Sequence, residues 1–427
     1  MKKIFFLPIL LTCLIIFLFQ HKENVNALVM YKSEVLNYNI LKKYLKDELD
    51  INLKIDYIVD DKKEIDNYDI WEDTKEQLKN KLKDNKFDLL LDIPNEYLRE
   101  FIEDKKLLKL DDKINIENIY PSVIDKSRKI GDGNMYFISP YFSNNFLLLN
   151  KNVFKNLELN IPSEIKSWND ILEISSKIKS KIEYHKYTDI YPLAFGMNGL
   201  ESFFQDFEVL TRPLNLPIKS NNTIYDDKKW FDVFSFFMNL YKEYSIDKEV
   251  YTPQLFLNDK IAIKFVKGLE MDLYKDSMSN YEVYEIPSYK GFKNQIFLET
   301  LDISIPQNSL NKELALKILN HILSKEFAYK SLNENFFGEY NIYPFVSYID
   351  NNILDEYKNK YNLKNSNIIY PNKDGFSNIN DFSSINDYIL FQEASREVIP
   401  NIILNKISIE DGLLEIKKRY LKFSNYK

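Results

Sequence analysis

The feature that most constrains this chain is a change of period, repeated along its first hundred residues. Leu28-Val29-Met30-Tyr31 is a short apolar run of strand type. Tyr38, Leu41, Leu45 and Leu49 then recur at helical spacing, and Leu53, Ile55, Tyr57 and Val59 alternate with polar residues as a strand does. A lysine-rich segment with Trp71, Leu78 and Leu82 returns to the helical period, and Phe87 to Leu91 is again a continuous apolar run. Strand, helix, strand, helix, strand implies crossover connections and a largely parallel sheet, which places the chain in the α/β class. Further helices are announced by Ser167-Trp168-Asn169-Asp170 and Ser408-Ile409-Glu410-Asp411, both capping boxes ahead of apolar positions, and by a stripe of Leu314, Ile318, Ile322 and Leu323. The 427 residues exceed one ordinary core, so two domains are expected. The segment Asn351 to Asp387, rich in Asn, Ser, Lys and Asp, reads as a surface loop region.

The inventory of reactive residues is thin. One Cys and three His cannot build a Cys-rich zinc site or a disulfide framework. Nine glycines leave little material for phosphate-cradling loops, and a net charge of -7 argues against nucleic acid as a partner. No G-x-S-x-G, Walker, H-E-x-x-H or C-x-x-C motif occurs. His321 lies on an apolar helix stripe, where a packed and satisfied histidine is expected. His185 sits in a polar surrounding that favours exposure. These absences make an enzyme the minority reading, and no cofactor and no metal are expected.

The N-terminus carries an export signal. Lys2-Lys3 precede sixteen uncharged residues, Ile4 to Phe19, and then the polar stretch Gln20-His21-Lys22-Glu23. Small residues around Val25-Asn26-Ala27 suit a signal peptidase, so residues 1–27 are expected to be removed and the mature chain to begin at Leu28. Two other outcomes stay open: retention of the apolar run as an anchor, and lipidation at Cys13, whose context Leu10-Leu11-Thr12-Cys13 loosely resembles a lipoprotein box. In each case the protein is expected outside the cytoplasmic membrane, which it meets only through this segment.

From Leu28 to Phe423 the order of segments resembles the bacterial extracellular solute-binding proteins of ABC importers, the family that includes maltose-binding protein. Four stretches carry the resemblance: Lys86 to Asp92 followed by Leu98 to Leu110; Tyr136 to Phe154 followed by Pro162 and Ser167 to Ile178; Phe256 to Ile263, with Asp259 where the family usually has glycine; and Asn308 to Leu332. The resemblance implies a two-lobe periplasmic-binding-protein-like fold of type II, each lobe a mixed sheet flanked by helices, joined by crossover hinge segments. Punctuated strands at Ile138-Ser139-Pro140-Tyr141, Leu298 to Ile303 and Tyr343-Pro344-Phe345 would serve as crossovers. The N-terminal lobe is accordingly expected at 28–138 and 303–344, and the C-terminal lobe at 139–302 and 345–427.

Ligand contacts in such sheets come from loops at the carboxyl ends of strands. That rule selects Tyr31 and Ser33 after the first strand, and Asp92 and Asn95 after Phe87 to Leu91. It selects Tyr141 and Ser143 at the crossover, Asn198 and Glu201 after the strand ending at Phe195, and Glu270 and Met271 after Gly268. Many sugar-binding relatives place a tryptophan where this chain has Glu270, and Phe391 could supply the missing stacking face. A sugar or oligosaccharide is the leading ligand class, and a cationic solute such as a polyamine would suit Asp92 and Glu270 if both faced one cleft. The implied partners are ABC permease subunits, with the chain a monomer. Ligand sensing for a membrane receptor is the other functional reading.

Overall fold

The computed structural model describes residues 23–60, 70–83, 86–199, 203–214, 216, 218–220, 223–225, 228–246, 250–289, 292, 298–337, 343–371 and 385–425. Strands β1 (Glu23–Tyr31), β2 (Ile51–Val59), β3 (Leu89–Leu91) and β4 (Phe137–Ser143) are followed by β5 (Asn145–Asn150) and β6 (Tyr191–Ala194). A small hairpin, β7 (Lys219–Ser220) and β8 (Thr223–Ile224), precedes β9 (Ile261–Lys267) and β10 (Tyr281–Glu285). Last come β11 (Glu299–Ser304) and β12 (Phe345–Val346).

Two mixed sheets result. The first runs β12-β4-β11-β3-β1-β2 and the second β10-β5-β9-β6. Within the first, β1 pairs in parallel with both β2 and β3, while β11 runs antiparallel between β3 and β4. Within the second, β9 pairs in parallel with β6 and antiparallel with β5. Both sheets carry helices, and the α/β class expected from the alternating periods is what forms.

Local sequence explains the elements. Helix Asn39–Leu49 buries Leu41, Tyr44 and Leu45 against the first sheet and stops at Asp50, which takes the left-handed conformation. Ser167 caps helix Trp168–His185: its hydroxyl accepts the Asp170 amide at 3.3 Å, while the Asp170 carboxylate accepts the Ser167 amide at 2.8 Å. Asp259 stands at φ 58, the backbone region that glycine favours. Its carboxylate is held by the side-chain amides of Asn150 (2.9 Å) and Asn152 (3.2 Å), so a polar residue is accommodated where relatives use glycine.

The chain passes from the first sheet to the second through Asn144, which separates β4 from β5. Around it the two cores are continuous. Phe142 packs on Phe345 (5.7 Å between ring centres), Phe345 on Phe146 (5.8 Å), and Tyr120 on both Phe142 and Tyr370. A second, separate core lies on the other face of the second sheet and includes Trp168, Phe237, Phe391 and Ile416.

Four expectations change. All of β4 through Ser143, and β11 from Glu299, belong to the first sheet, so the switch lies near 144 and before 299 rather than at 138/139 and 302/303. Strand β12 pairs with β4 in that same sheet, although 345–427 was assigned to the other lobe. Within the stretch expected to be a loop, helix Asn351–Lys360 forms and Ile353, Tyr357, Tyr361, Ile369 and Tyr370 are buried, because aromatic residues interrupt its polar composition; 372–384 lie outside the described residues. Finally, β1 begins at Glu23, five residues before the expected mature start. The side chain of Trp71 lies outside the described residues.

Candidate functional site

The sheet registers decide where a cleft can be. Asn145 at the start of β5 pairs with Lys267 at the end of β9, so the carboxyl ends of β6 and β9 lie beside the Asn144 crossover. In the first sheet, β3 and β4 both run antiparallel to β11, so their carboxyl ends point the same way, again toward the crossover. The carboxyl edges of the two sheets therefore face each other. Strands β4 and β11 extend past the end of β3 and form the back wall.

Asp92 sits on the first-sheet side of that opening. The residue has φ 53, and its amide donates to the Asp302 carbonyl at 2.8 Å. Asp302 lies in β11, whose ladder with β4 on the other side is irregular between Leu301 and Ile303. Its own carboxylate points inward, where Lys126 binds it at 2.8 Å and Thr300 donates at 2.7 Å; Ser139 donates as well. Tyr343 donates to the half-buried Asp92 carboxylate at 3.0 Å. Burial, helped by the nearby negative charges of Asp302 and Glu34, pushes the Asp92 carboxyl up to about 7 despite the Tyr343 bond and Lys126.

The second-sheet side is arranged differently. Glu270 is fully buried and ion-paired with the equally buried Lys264 at 3.1 Å, and Lys264 also donates to the Gly196 carbonyl at 2.7 Å. Lys267 pairs with buried Asp206 at 3.0 Å. Burial raises Asp206 to about 6, with Lys267 acting against it and Glu270 with it. Gly268 lies flush on the crossover: a Cβ there would stand 2.3 Å from the Ser143 hydroxyl and 2.7 Å from the Asn144 carbonyl. No side chain fits at that contact.

The sequence-selected residues separate accordingly. Tyr31, Ser33, Asp92 and Asn95 all lie at the carboxyl edge of the first sheet, and Asn198 is exposed beyond β6. The buried side-chain oxygen of Asn95 and the hydroxyl of Ser143 have no hydrogen-bond partner, although Ser143 is sealed under Gly268. Tyr141 is a core residue, not a cleft residue: it is buried against Phe337 and Phe327, and its hydroxyl donates to Ser331. Glu270 and Met271 are likewise buried, and Phe391 packs on Tyr225 inside the second core, so it offers no stacking face. Glu201 lies outside the described residues. Sequence reasoning missed Lys126, Asp302, Lys264 and Asp206. The available signal was a charge set inside an apolar strand or helix, as Lys264 is within Ile261 to Val266.

The expected packed histidine is found: His321 meets the Tyr44 hydroxyl at 2.8 Å and stacks on its ring, and burial lowers its pKa. Among the described residues no cluster of His, Cys, Asp and Glu is arranged to hold a metal ion.

The profile of the bacterial extracellular solute-binding protein family matches residues 32–329. This chain belongs to that family. It is a family of binding proteins of ABC importers, not of enzymes. Solved structures agree on the fold. An extracellular solute-binding protein of family 1 from Alicyclobacillus acidocaldarius is 14% identical, with a TM-score of 0.67 over 95% of this chain and 99% of that one. The sugar-binding protein MalE from Xanthomonas citri is 12% identical, with a TM-score of 0.66 over 94% and 98%. A solute-binding protein from Thermotoga lettingae, solved with α-D-tagatose, is 16% identical, with a TM-score of 0.61 over 94% and 99%. No curated protein sequence matches. No described helix is long and apolar enough to cross a membrane.

Proposed function

We propose that this solute-binding protein captures a sugar or oligosaccharide between the facing carboxyl edges of its two sheets and delivers it to the permease of an ABC importer. The observation that carries this reading is the unsaturated polar edge of the first sheet. There Asp92 stands half-buried at a pKa of about 7, and the Asn95 side-chain oxygen lacks a partner. A carboxyl that exchanges between donor and acceptor near neutrality, beside an amide oxygen that only accepts, suits hydroxyl groups, which do both. The structural relatives named above as sugar-binding or solved with tagatose support the same class.

A cationic solute such as a polyamine is a second reading, favoured by the negative charges of Asp302 and Glu34 near Asp92. It loses the support of Glu270, whose charge is already matched by Lys264. Thermal-shift screening against neutral sugars, sugar alcohols, oligosaccharides and polyamines, followed by isothermal titration, tests the choice. Stabilisation by a neutral polyol is expected. Stabilisation by polyamines alone, with protons released as Asp92 ionises, would replace the first reading with the second.

A further inference from the structure

The crossover between the two sheets carries polar groups that neither sheet uses. Strand β11 enters the first sheet at Glu299, whose partner in the ladder is Ser143, the last residue of β4. Opposed residues of an antiparallel pair project to the same face, so the Glu299 side chain stands beside that of Ser143. Gly268, just past the end of β9, lies flush on Ser143 and Asn144. Glu299 is thus a first-sheet residue at the point where the second sheet arrives. Charges reach it from both sides: Lys267 and Glu208 from the second, Lys126 from the first. Its carboxylate is half-buried and makes no hydrogen bond or ion pair with a described residue. Burial pushes this carboxyl up from the ordinary range; Lys267 and Lys126 act against the rise and Glu208 adds to it.

Asn145 opens β5 opposite Lys267, so those two side chains also share a face. Asn145 is only 8% exposed, yet its side-chain oxygen has no hydrogen-bond partner. An unpaired acceptor at that depth is a cost to the fold that a donor on a ligand would remove.

The cations around this point are already taken. Lys126 holds Asp302 at 2.8 Å, Lys267 holds Asp206 at 3.0 Å, Lys264 holds Glu270 at 3.1 Å, and Arg212 pairs with Glu208. What remains is a set of acceptors: the Glu299 carboxylate, the Asn145 oxygen, and Asp92 with the Asn95 oxygen further along. Three residues of β11 separate Glu299 from the Asp302 carbonyl that holds Asp92, roughly 10 Å at the rise of a strand. Tyr343, which donates to Asp92, also feels the charge of Glu299, so the two carboxyls border one space.

We infer that Glu299 and Asn145 form the crossover end of the ligand site and, with Asp92 at its other end, make that site selective for neutral sugars over the corresponding acidic ones. This rests on the sugar reading given above and adds its specificity. Hydroxyl groups supply the donors that these acceptors lack. A uronate or sugar phosphate brings a further charged acceptor, which would be buried against two carboxyls while the lysines beside them are already paired.

Isothermal titration of the purified protein at pH 8 tests this, with D-glucose, D-galactose, D-mannose and maltose as probes, each beside the uronic acid of the same skeleton. The acid is expected to bind at least tenfold more weakly than its neutral counterpart. Glu299→Gln and Asn145→Ala should each weaken the neutral sugar roughly tenfold, and Glu299→Gln should narrow the gap to the acid. Glu299→Gln should melt no lower than the parent, because the carboxylate has no partner to lose. Equal binding of a sugar and its acid, or variants that bind the neutral sugar as the parent does, would overturn the inference and leave the sugar reading standing. Weakened binding with a lowered melting temperature in Glu299→Gln would mark a structural role and overturn it as well. If none of these neutral sugars and no neutral compound of the wider screen binds, the sugar reading itself fails and the inference falls with it.

Discussion

The polar groups at the ends of the two sheets are similar in composition and opposite in state. On the first sheet, buried Lys126 is paired with Asp302, and nearby Asp92 is left half-exposed with its pKa near neutrality. On the second, Lys264 with Glu270 and Lys267 with Asp206 match charge for charge, and both carboxylates are fully buried. The second arrangement is matched in charge, although both Asp206 oxygens and Glu270 Oε2 have no hydrogen bond beyond the ion pair, and the first is not matched. Charge-matched buried pairs hold a fold in one geometry, while a half-exposed carboxyl without a matching cation keeps bonding capacity for something else.

Breaking the sealed pair should therefore give the largest effect on stability. Lys264→Met leaves Glu270 buried and unpaired, which should lower unfolding stability by about 3–5 kcal/mol in urea denaturation. Lys264→Met with Glu270→Leu should recover most of that loss, since a well-packed apolar pair often replaces a buried ion pair at little cost. A single variant that unfolds like the parent would show that this side is not sealed.

The next effect belongs to the open side. Asp92→Asn should weaken ligand by about 1–3 kcal/mol in isothermal titration, the range for hydrogen bonds to charged groups at a desolvated site. Glu270→Gln should change affinity far less than it changes stability. Equal losses of affinity in the two variants would erase the distinction between the edges.

How much of this was legible in the sequence follows from the same contrast. The alternation of Leu53 to Val59, the capping box at Ser167 and the packed His321 depend on local pattern, and each is found where the pattern placed it. The place of Asp92 at the carboxyl edge of the first sheet was legible too, because it directly follows a buried strand. Glu270 and Phe391 were not, since loop position alone does not say whether a side chain meets solvent or a buried partner. Lys264 supplies that partner six residues upstream, inside a strand that otherwise reads as apolar. The start of β1 was hard to read for a related reason: Val25-Asn26-Ala27 satisfies both a cleavage pattern and the in-out alternation of a strand, and in the structure it pairs with β2.

A smaller, pH-dependent effect should distinguish the edges without a ligand. An unfolded aspartate ionises near pH 4, whereas Asp92 in the fold does so near 7. Between those values the unfolded chain has released a proton that the folded chain still holds, so stability falls as pH rises. Asp206, raised to about 6, contributes in the same direction over the lower part of the window. Glu48, Asp189 and Asp350, each paired with a lysine, are lowered and act the opposite way at lower pH. Comparison isolates the edge: between pH 5 and pH 8 the parent should lose stability relative to Asp92→Asn. Parallel pH profiles for the two proteins would mean that the Asp92 carboxyl is not desolvated.

The smallest effect concerns Tyr141, which chain order places at the crossover and the structure places in the core. Its ring packs on Phe337 at 4.9 Å between centres, and its hydroxyl donates to Ser331, which in turn donates to the Phe327 carbonyl at 2.7 Å. Tyr141→Phe keeps the ring and removes only the hydroxyl, so stability should fall by about 1 kcal/mol, the usual net value of one such bond. The Ser331 hydroxyl retains its bond to Phe327, which limits the loss. Ligand affinity should stay within error of the parent, because the hydroxyl points into helix Lys325–Ser331 rather than toward the facing edges. A tenfold loss of affinity at unchanged stability would place Tyr141 on the open side with Asp92, and the boundary between the sealed and unsaturated regions would then pass through β4 itself.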